Sequence, residues 1–241
     1  MTHAVVGYPS LDDNWEMLSA MNAAGVSIVE LQMPFSEPIA DGPMFVKANQ
    51  VALQNGVNWN EYFDFMQKAN ETFDFAMLFM GYYNSIFCMG HEEFCQRLKG
   101  AGGVGYIIAD LPPECAVELD CLAKTQELSP IHLMTPTNSD QRLHAISNGA
   151  EGFIYCVARK GVTGQKTQLG KELTGYIERC KNATDLPIAL GFGIKTPEDI
   201  KLLRGLVDIA IIGTGCLEVW EQQGKDAFSE YLNQLFDATG S

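Results

Sequence analysis

The sequence is short of positive charge. It carries 16 Lys and Arg against 30 Asp and Glu, a formal net charge of −14 over 241 residues. A nucleic-acid-binding surface needs a basic patch, so this balance argues against that class of protein. It does not exclude a phosphorylated small molecule as a ligand, because backbone N–H groups at a helix N-terminus hold phosphate without any basic side chain.

Several other marks of a protein class are missing. No apolar run approaches the ~18 residues of a membrane span, and no secretory signal opens the chain. The four His are scattered without the spacing of metal ligands, so we predict no metal site. The seven Cys include no Cys-x-x-Cys pair, and reduced thiols in a cytoplasmic protein fit them best. Cys156 and Cys216 lie in apolar surroundings and are expected to be packing residues.

The sequence does contain a regular alternation of short β-rich runs and helix-period segments. Ser10, Asn138 and Thr196 precede acidic or Pro residues and are expected to be helix N-caps. The candidate strands are Ala4–Gly7, Ser27–Leu31, Phe75–Met80, Gly105–Ala109, Ile131–Met134, Gly152–Val157, Pro187–Gly191 and Val207–Gly213.

Eight such alternations within ~250 residues predict an α/β fold, the (β/α)8 or TIM barrel. No linker or composition break divides the sequence, so we expect a single barrel domain over residues 1–241. A doubly wound open sheet is the alternative. It would usually show fewer strands and a Gly-x-Gly-x-x-Gly turn after the first one, where this chain has Gly-Tyr-Pro-Ser.

Two carboxylates lie around the end of the second candidate strand. Glu30 is inside the run, and Asp41 is in the Pro- and Gly-rich loop that follows. A buried strand seldom carries an ionisable side chain, because an unpaired charge in an apolar interior is very costly. Since barrel active sites lie at the C-terminal ends of the strands, we predict that both are catalytic. The alternative is that Glu30 leans into solvent and pairs with a nearby Lys.

Three glycine-containing turns follow the last three candidate strands. They are Gly161-Val-Thr-Gly164, Gly191-Phe-Gly193 and Gly213-Thr214-Gly215. Glycine lets the backbone approach an anion closely, and this corner of a barrel commonly binds phosphate. We therefore predict a phosphate site here, to which the Thr214 hydroxyl adds a donor. Sharp barrel turns without a ligand are the alternative.

Two further polar positions leave alternatives open. Asp110 ends the fourth candidate strand and is either catalytic or a structural carboxylate that orients a neighbouring loop. Tyr82 follows the third candidate strand and either lines a pocket for an aromatic ligand or packs the barrel rim.

The segment that contains the two carboxylates carries a specific motif. Residues 29–43 read Val-Glu-Leu-Gln-Met-Pro-Phe-Ser-Glu-Pro-Ile-Ala-Asp-Gly-Pro. This run closely resembles the signature of the tryptophan synthase alpha chain family. The resemblance extends in order along almost the whole chain, through Gly7-Tyr-Pro, Tyr82-Tyr-Asn, Ala109-Asp-Leu-Pro, Gly161-Val-Thr-Gly, Gly191-Phe-Gly-Ile and Ile212-Gly-Thr.

The resemblance implies a barrel of the ribulose-phosphate-binding type and a lyase. Its substrate would be indole-3-glycerol phosphate, split into indole and glyceraldehyde 3-phosphate. This chain would need no cofactor. The implied partner is a PLP-containing beta chain in an αββα assembly, which receives the indole through a tunnel. A free-standing lyase that releases indole, and a catalytically weak binding or regulatory barrel, are the alternatives.

The resemblance also implies roles for individual residues. Glu30 would be the main acid and base, Asp41 would hold the indole N–H, and Tyr155 would assist near Glu30. Two further groups of residues would contact the substrate. The residues that would bind its phosphate are Gly164, Gly193, Gly213 and Thr214. The residues of the pocket and its closing loop would be Tyr82, Thr163 and Phe192.

The chain departs from the family pattern at several positions. It opens almost on the first strand, so the usual short N-terminal helix is expected to be lacking. His3 stands where an apolar pocket residue is usual, and Gln32 replaces a common Gly. Glu37 replaces a common Asp in the loop that would face the beta chain. These changes leave the acid/base pair intact and bear more on the partner contact than on the reaction.

Overall fold

Parallel strands and helices alternate through the computed structural model, which describes residues 1–157, 169–191 and 193–240. None of the described helices is long and apolar enough to cross a membrane. The strands are β1 (Thr2–Val5), β2 (Ile28–Gln32), β3 (Ala76–Gly81), β4 (Gly105–Ile108), β5 (Ser129–Ile131), β6 (Leu133–Met134), β7 (Ile154–Val157), β8 (Ile188–Gly191) and β9 (Ile209–Ala210). The helices are α1 (Leu11–Ala23), α2 (Pro43–Gln54), α3 (Trp59–Asn70), α4 (Tyr83–Met89), α5 (His91–Gly100), α6 (Pro113–Thr125), α7 (Asp140–Gly149), α8 (Leu169–Ala183), α9 (Pro197–Leu203) and α10 (Thr214–Asp237).

The strands form one closed ring. All pairings are parallel, in the order β1 to β5 and then β6 to β9. The segments β5 and β6 are two halves of one barrel strand, separated only by His132. At the closure, Thr2 pairs with Ile212, and the Ile212 N–H donates to the Met1 carbonyl at 3.0 Å. With the two halves counted once, the described residues form eight barrel strands, which confirms the (β/α)8 prediction.

His132, between the two halves, has buried polar partners that the sequence did not reveal. The side chain of His132 is buried, and its Nε2 lies 2.9 Å from Asp120 Oδ2. The other oxygen of Asp120 accepts a hydrogen bond of 2.6 Å from the Tyr106 hydroxyl. The His132 side chain points outward to α6, while its carbonyl still accepts from the Tyr155 N–H at 3.0 Å. The expected strand Ile131–Met134 is therefore present as two short segments on either side of His132.

Other boundaries differ from the prediction by a few residues. The last candidate strand, Val207–Gly213, contributes the short strand Ile209–Ala210 and the single bridge at Ile212. Ser10 and Thr196 are N-caps as predicted, and Thr196 forms a full capping box with Asp199. The prediction for Asn138 was wrong by one residue. Ser139 caps α7, because the side chain of Asn138 instead accepts from the Thr135 N–H at 2.7 Å and closes the preceding turn.

Alternation along each strand creates two apolar layers. In β3, Leu78 and Met80 point into the barrel, whereas Met77 and Phe79 point outward to the helices. The outer layer is the larger one and contains Cys156 and Cys216, both fully buried as predicted. The inner layer consists of Leu78, Met80, Ile107, Ile131, Phe153, Tyr155, Ala189 and Ile211. It fills the barrel interior below the site.

Candidate active site

Glu30 reaches the barrel interior because of its place in β2. Side chains of the strand alternate between the two layers, and Leu31 belongs to the outer one. Glu30 therefore points inward, in register with His3 on β1 and Leu78 on β3. Its side chain is 1% exposed. Burial raises the pKa of Glu30 to about 8, the charge of Asp41 adds to the rise, and the Met1 amino group opposes it. The carboxyl group is therefore mostly protonated at neutral pH.

Few polar groups surround the Glu30 carboxyl. Oε2 lies 3.4 Å from His3 Nδ1, and Oε1 is buried without a hydrogen-bond partner among the described residues. A buried polar atom without a partner is unusual and calls for a reason. The alternative in which Glu30 leans into solvent and pairs with a Lys is wrong, since the side chain is enclosed and its closest ionisable neighbour is an imidazole.

Asp41 is held at the rim of the barrel by three side chains. It lies in the loop between β2 and α2 and is half-buried. Its Oδ2 accepts from Gln32 Nε2 at 2.7 Å and from Asn49 Nδ2 at 3.4 Å, and Tyr82 also hydrogen-bonds to it. Burial raises the pKa of Asp41, and the three hydrogen bonds lower it, with a net rise. The donors fix the carboxylate in one orientation.

One cavity brings the predicted catalytic residues together. Glu30, Asp41 and Tyr155 all line it, at the end of the barrel where the strands finish. Its other walls are apolar on the inner layer and glycine-rich at the rim. The remaining lining residues are His3, Ala40, Gly42, Phe45, Met80, Ile107, Ala109, Leu133, Gly193, Ile194, Lys195, Ile211, Gly213 and Thr214.

The position of Tyr155 depends on a glycine in the neighbouring strand. Tyr155 lies on β7 and is buried. A Cβ atom at Gly191 of β8 would lie 2.6 Å from the Tyr155 hydroxyl oxygen, closer than real Cβ contacts occur. Burial first, and then the charges of Glu30 and Asp41, raise the pKa of Tyr155 well above its ordinary value. Tyr155 is therefore a neutral phenol that faces the cavity.

The predicted phosphate residues lie on the same cavity where the structure describes them. Gly213 is the N-cap of α10 and Thr214 is the first residue of that helix, so the positive end of the helix points to the cavity. Gly193 also lines the cavity and has a φ of +92°, which favours glycine. Thr163, Gly164 and Phe192, the other predicted contacts, lie outside the described residues.

The two polar positions that were left open have structural partners. Asp110 is exposed, and its Oδ1 accepts from the Tyr83 N–H at 2.8 Å at the start of α4. This contact supports the interpretation of Asp110 as a carboxylate that orients a loop. Tyr82 stacks on Phe35, and its hydroxyl accepts from the Ala40 N–H at 3.1 Å. It lies behind Asp41 rather than on the cavity wall, and contributes to the site by supporting that loop.

Three cavity or near-cavity residues were not predicted as site residues. His3 points inward from β1 and contacts Glu30, and Gln32 points inward from β2 and contacts Asp41. Period-two alternation in both strands is the signal that could have found them. Lys195 also lines the cavity and forms an ion pair with Glu218. Its place after β8 gave no comparable signal.

A closed (β/α)8 barrel with a buried, protonated carboxyl beside a fixed carboxylate, and with a helix N-terminus across the same cavity, defines a class of protein. It is the class of (β/α)8 barrels whose cavity can exchange a proton with a small anionic ligand. Comparison with known proteins then narrows the class. The family model of the tryptophan synthase alpha chain matches residues 1–237. The chain therefore belongs to the tryptophan synthase alpha chain family.

Individual relatives agree with this assignment. The tryptophan synthase alpha chain of Syntrophotalea carbinolica is 42% identical over 98% of this chain and 93% of the relative. The tryptophan synthase of Saccharomyces cerevisiae is 37% identical over 98% of this chain but only 34% of its own length. The crystal structure of the tryptophan synthase alpha subunit of Legionella pneumophila has a TM-score of 0.90 at 27% identity, and covers 99% of this chain and 91% of that one. The chain thus has the alpha-subunit role in tryptophan biosynthesis.

Proposed function

We propose that this chain cleaves indole-3-glycerol phosphate into indole and glyceraldehyde 3-phosphate, with Glu30 as both acid and base. The observation that carries the proposal is the state of the Glu30 carboxyl. It lines the cavity, is buried and mostly protonated at neutral pH, and keeps one oxygen without a partner among the described residues. A general acid needs a pKa near the operating pH and a carboxyl that the substrate can approach.

The proton balance closes with Glu30 alone. Glu30 gives its proton to C3 of the indole ring, which turns the ring into an electron sink. The bond between C3 and the glycerol carbon then breaks as Glu30, now a carboxylate, takes the proton of the adjacent glycerol hydroxyl. That hydroxyl becomes the aldehyde, the bonding electrons return to the indole ring, and Glu30 is protonated again. No other reactant enters or leaves.

Asp41 and Tyr155 have complementary roles in this proposal. The carboxylate of Asp41 accepts the indole N–H and stabilises the positive charge that protonation at C3 places on the ring. Its three donors prevent it from turning away as that charge develops. Tyr155 lines the same cavity from β7, across from Glu30 on β2, and supplies a neutral hydroxyl there.

The substrate phosphate is proposed to bind across the cavity from Asp41. Gly193, Gly213 and Thr214 would offer backbone N–H groups and one hydroxyl at the start of α10, a site for an anion that needs no basic side chain. Gly164 would add a further N–H group. Thr163 would belong to the closing loop, and Phe192 would belong to the apolar wall of the pocket.

The indole is proposed to pass to a PLP-containing beta chain in an αββα assembly. The yeast relative is named tryptophan synthase without a subunit, and this chain matches about a third of it. A much larger part of that protein is therefore available for a second activity. This chain itself is proposed to need no cofactor for its own step.

Indole release from indole-3-glycerol phosphate tests the proposal. It should be measured for the wild type and for Glu30→Gln, with and without an added tryptophan synthase beta chain. We expect the variant to lose at least about a thousandfold in kcat, since one group performs both proton transfers. We also expect the beta chain to stimulate the wild type.

The matched control is Glu178→Gln, an exposed carboxylate on α8 that should leave the rate unchanged. A wild-type rate that does not change on addition of the beta chain would refute the proposed partnership and favour a free-standing lyase. Folded wild type that releases no indole with the beta chain would refute the catalytic assignment and leave a binding or regulatory barrel.

A further inference from the structure

Two side chains connect the proposed catalytic carboxylates. Gln32 Nε2 donates to Asp41 Oδ2 at 2.7 Å, and Gln32 Oε1 lies 3.0 Å from His3 Nε2. On the other side of the same ring, His3 Nδ1 lies 3.4 Å from Glu30 Oε2. His3, Gln32 and Glu30 are all buried. A continuous path of polar contacts therefore runs from the rim of the barrel to the buried acid.

The Asp41 carboxylate at the rim fixes which atoms donate and which accept along this path. An ionised carboxylate only accepts hydrogen bonds, so Asp41 must face the NH2 end of the Gln32 amide. The Gln32 oxygen then faces His3, which requires that His3 Nε2 carries a proton. Burial lowers the pKa of His3 to about 4, so the ring is neutral and holds only that one N–H. Its Nδ1 is consequently a bare lone pair, and it is the atom that faces Glu30.

We propose that His3 and Gln32 are positioning residues that use the charge of Asp41 to present a proton acceptor to the Glu30 carboxyl. This inference rests on the proposed function, which makes Glu30 the acid. An acceptor beside Oε2 favours the protonated carboxyl and repels the carboxylate, so Glu30 stays protonated up to a higher pH.

The ring of His3 is held in place by its surroundings. It stacks on Phe45 with ring centroids 4.4 Å apart and an interplanar angle of 29°. It cannot easily flip to exchange its two nitrogens, because each has its own polar neighbour. The titratable groups of the described residues that face the ring or its Glu30 partner are Glu30 on β2, Asp41 in the following loop, Tyr155 on β7, Lys195 after β8 and the Met1 amino group. The Met1 amino group in turn interacts with Cys216 on α10.

The tautomer of His3 is the direct test, and it needs no substrate. The chain is labelled with ¹⁵N-histidine, and the two ring nitrogens are read by NMR between pH 6 and pH 9. The chain has only four His, and His3→Phe assigns the signal. We expect a neutral ring with the proton on Nε2 throughout, and a loss of this preference in Gln32→Met. A proton on Nδ1, or a charged ring at pH 7, would overturn the proposal.

The pH profile of kcat/KM for indole release is the functional test. The alkaline limb reports deprotonation of the free acid, and in His3→Phe it should move to lower pH by about one unit. His3→Asn, whose Oδ1 can take the place of Nδ1, should restore much of the limb. A lower rate with an unmoved limb in His3→Phe would show a purely structural role and refute the inference. Absence of indole release from the wild type would refute the proposed function instead, while the His3 tautomer would still be measured.

Discussion

The stability of Glu30→Gln relative to the wild type should increase as the pH rises. Burial raises the pKa of Glu30 from 4.5 to about 8, so the folded chain keeps a proton that the unfolded chain releases above pH 4.5. The stability linked to this group is fully present below pH 4.5 and is lost as the pH rises toward 8. Each unit in that window removes about 1.4 kcal/mol from the free energy of unfolding. Between pH 5 and pH 7 the wild type should therefore lose about 2.5 kcal/mol that Glu30→Gln keeps.

Urea unfolding followed by circular dichroism at pH 5, 6 and 7 measures this gap. The glutamine amide adds an unsatisfied donor in a buried site, which costs about 1 to 3 kcal/mol at every pH. The decisive quantity is therefore the change of the gap with pH and not its value at one pH. Glu178→Gln, at an exposed position, should show no change with pH relative to the wild type. A gap between Glu30→Gln and wild type that stays constant from pH 5 to pH 7 would refute the buried, protonated carboxyl.

Three further predictions concern other parts of the barrel. In Gly191→Ala the added Cβ would lie 2.6 Å from the Tyr155 hydroxyl oxygen, so kcat for indole release should fall by about tenfold or more with the fold retained, and an unchanged kcat would contradict this packing. Thr214→Val removes the hydroxyl at the start of α10 and should raise the KM about fivefold with little change in kcat, since it weakens ground-state and transition-state binding alike; a change confined to kcat would argue against a phosphate contact. Asp120→Ala leaves two buried polar partners unpaired and should lower the free energy of unfolding by about 3 kcal/mol in urea titrations, while an effect under about 1 kcal/mol would refute the role of this network.

The barrel itself could be predicted because its information is periodic and local. Eight apolar runs with helical segments between them are visible without any knowledge of contacts, and N-caps such as Ser10 and Thr196 depend on residues within one turn. Contacts between distant elements could not be predicted in this way. The buried His132 pairs with Asp120, which lies on a different element, 12 positions away. No local pattern encodes that pair.

The candidate site was predicted in part for the same reason. Glu30 and Asp41 stand out because a carboxylate in or just after an apolar strand is costly unless it has a purpose. Tyr82 could be placed near the site, but its support of the Asp41 loop through the Ala40 N–H could not be foreseen.

The sequence by itself determined the fold class and the order of the elements, and it singled out Glu30 and Asp41 as candidates, because hydrophobic period and residue chemistry are properties of the chain. The tertiary structure decided how those groups behave. Parallel pairing of β1 with β2 sets His3 against Glu30, residues that are 27 positions apart in the sequence. Burial in that closed interior raises the pKa of one carboxyl to about 8, and the hydrogen bonds of the rim hold the other. The desolvation of one carboxyl and the orientation of the other depend on the surrounding side chains, which only the folded barrel brings together.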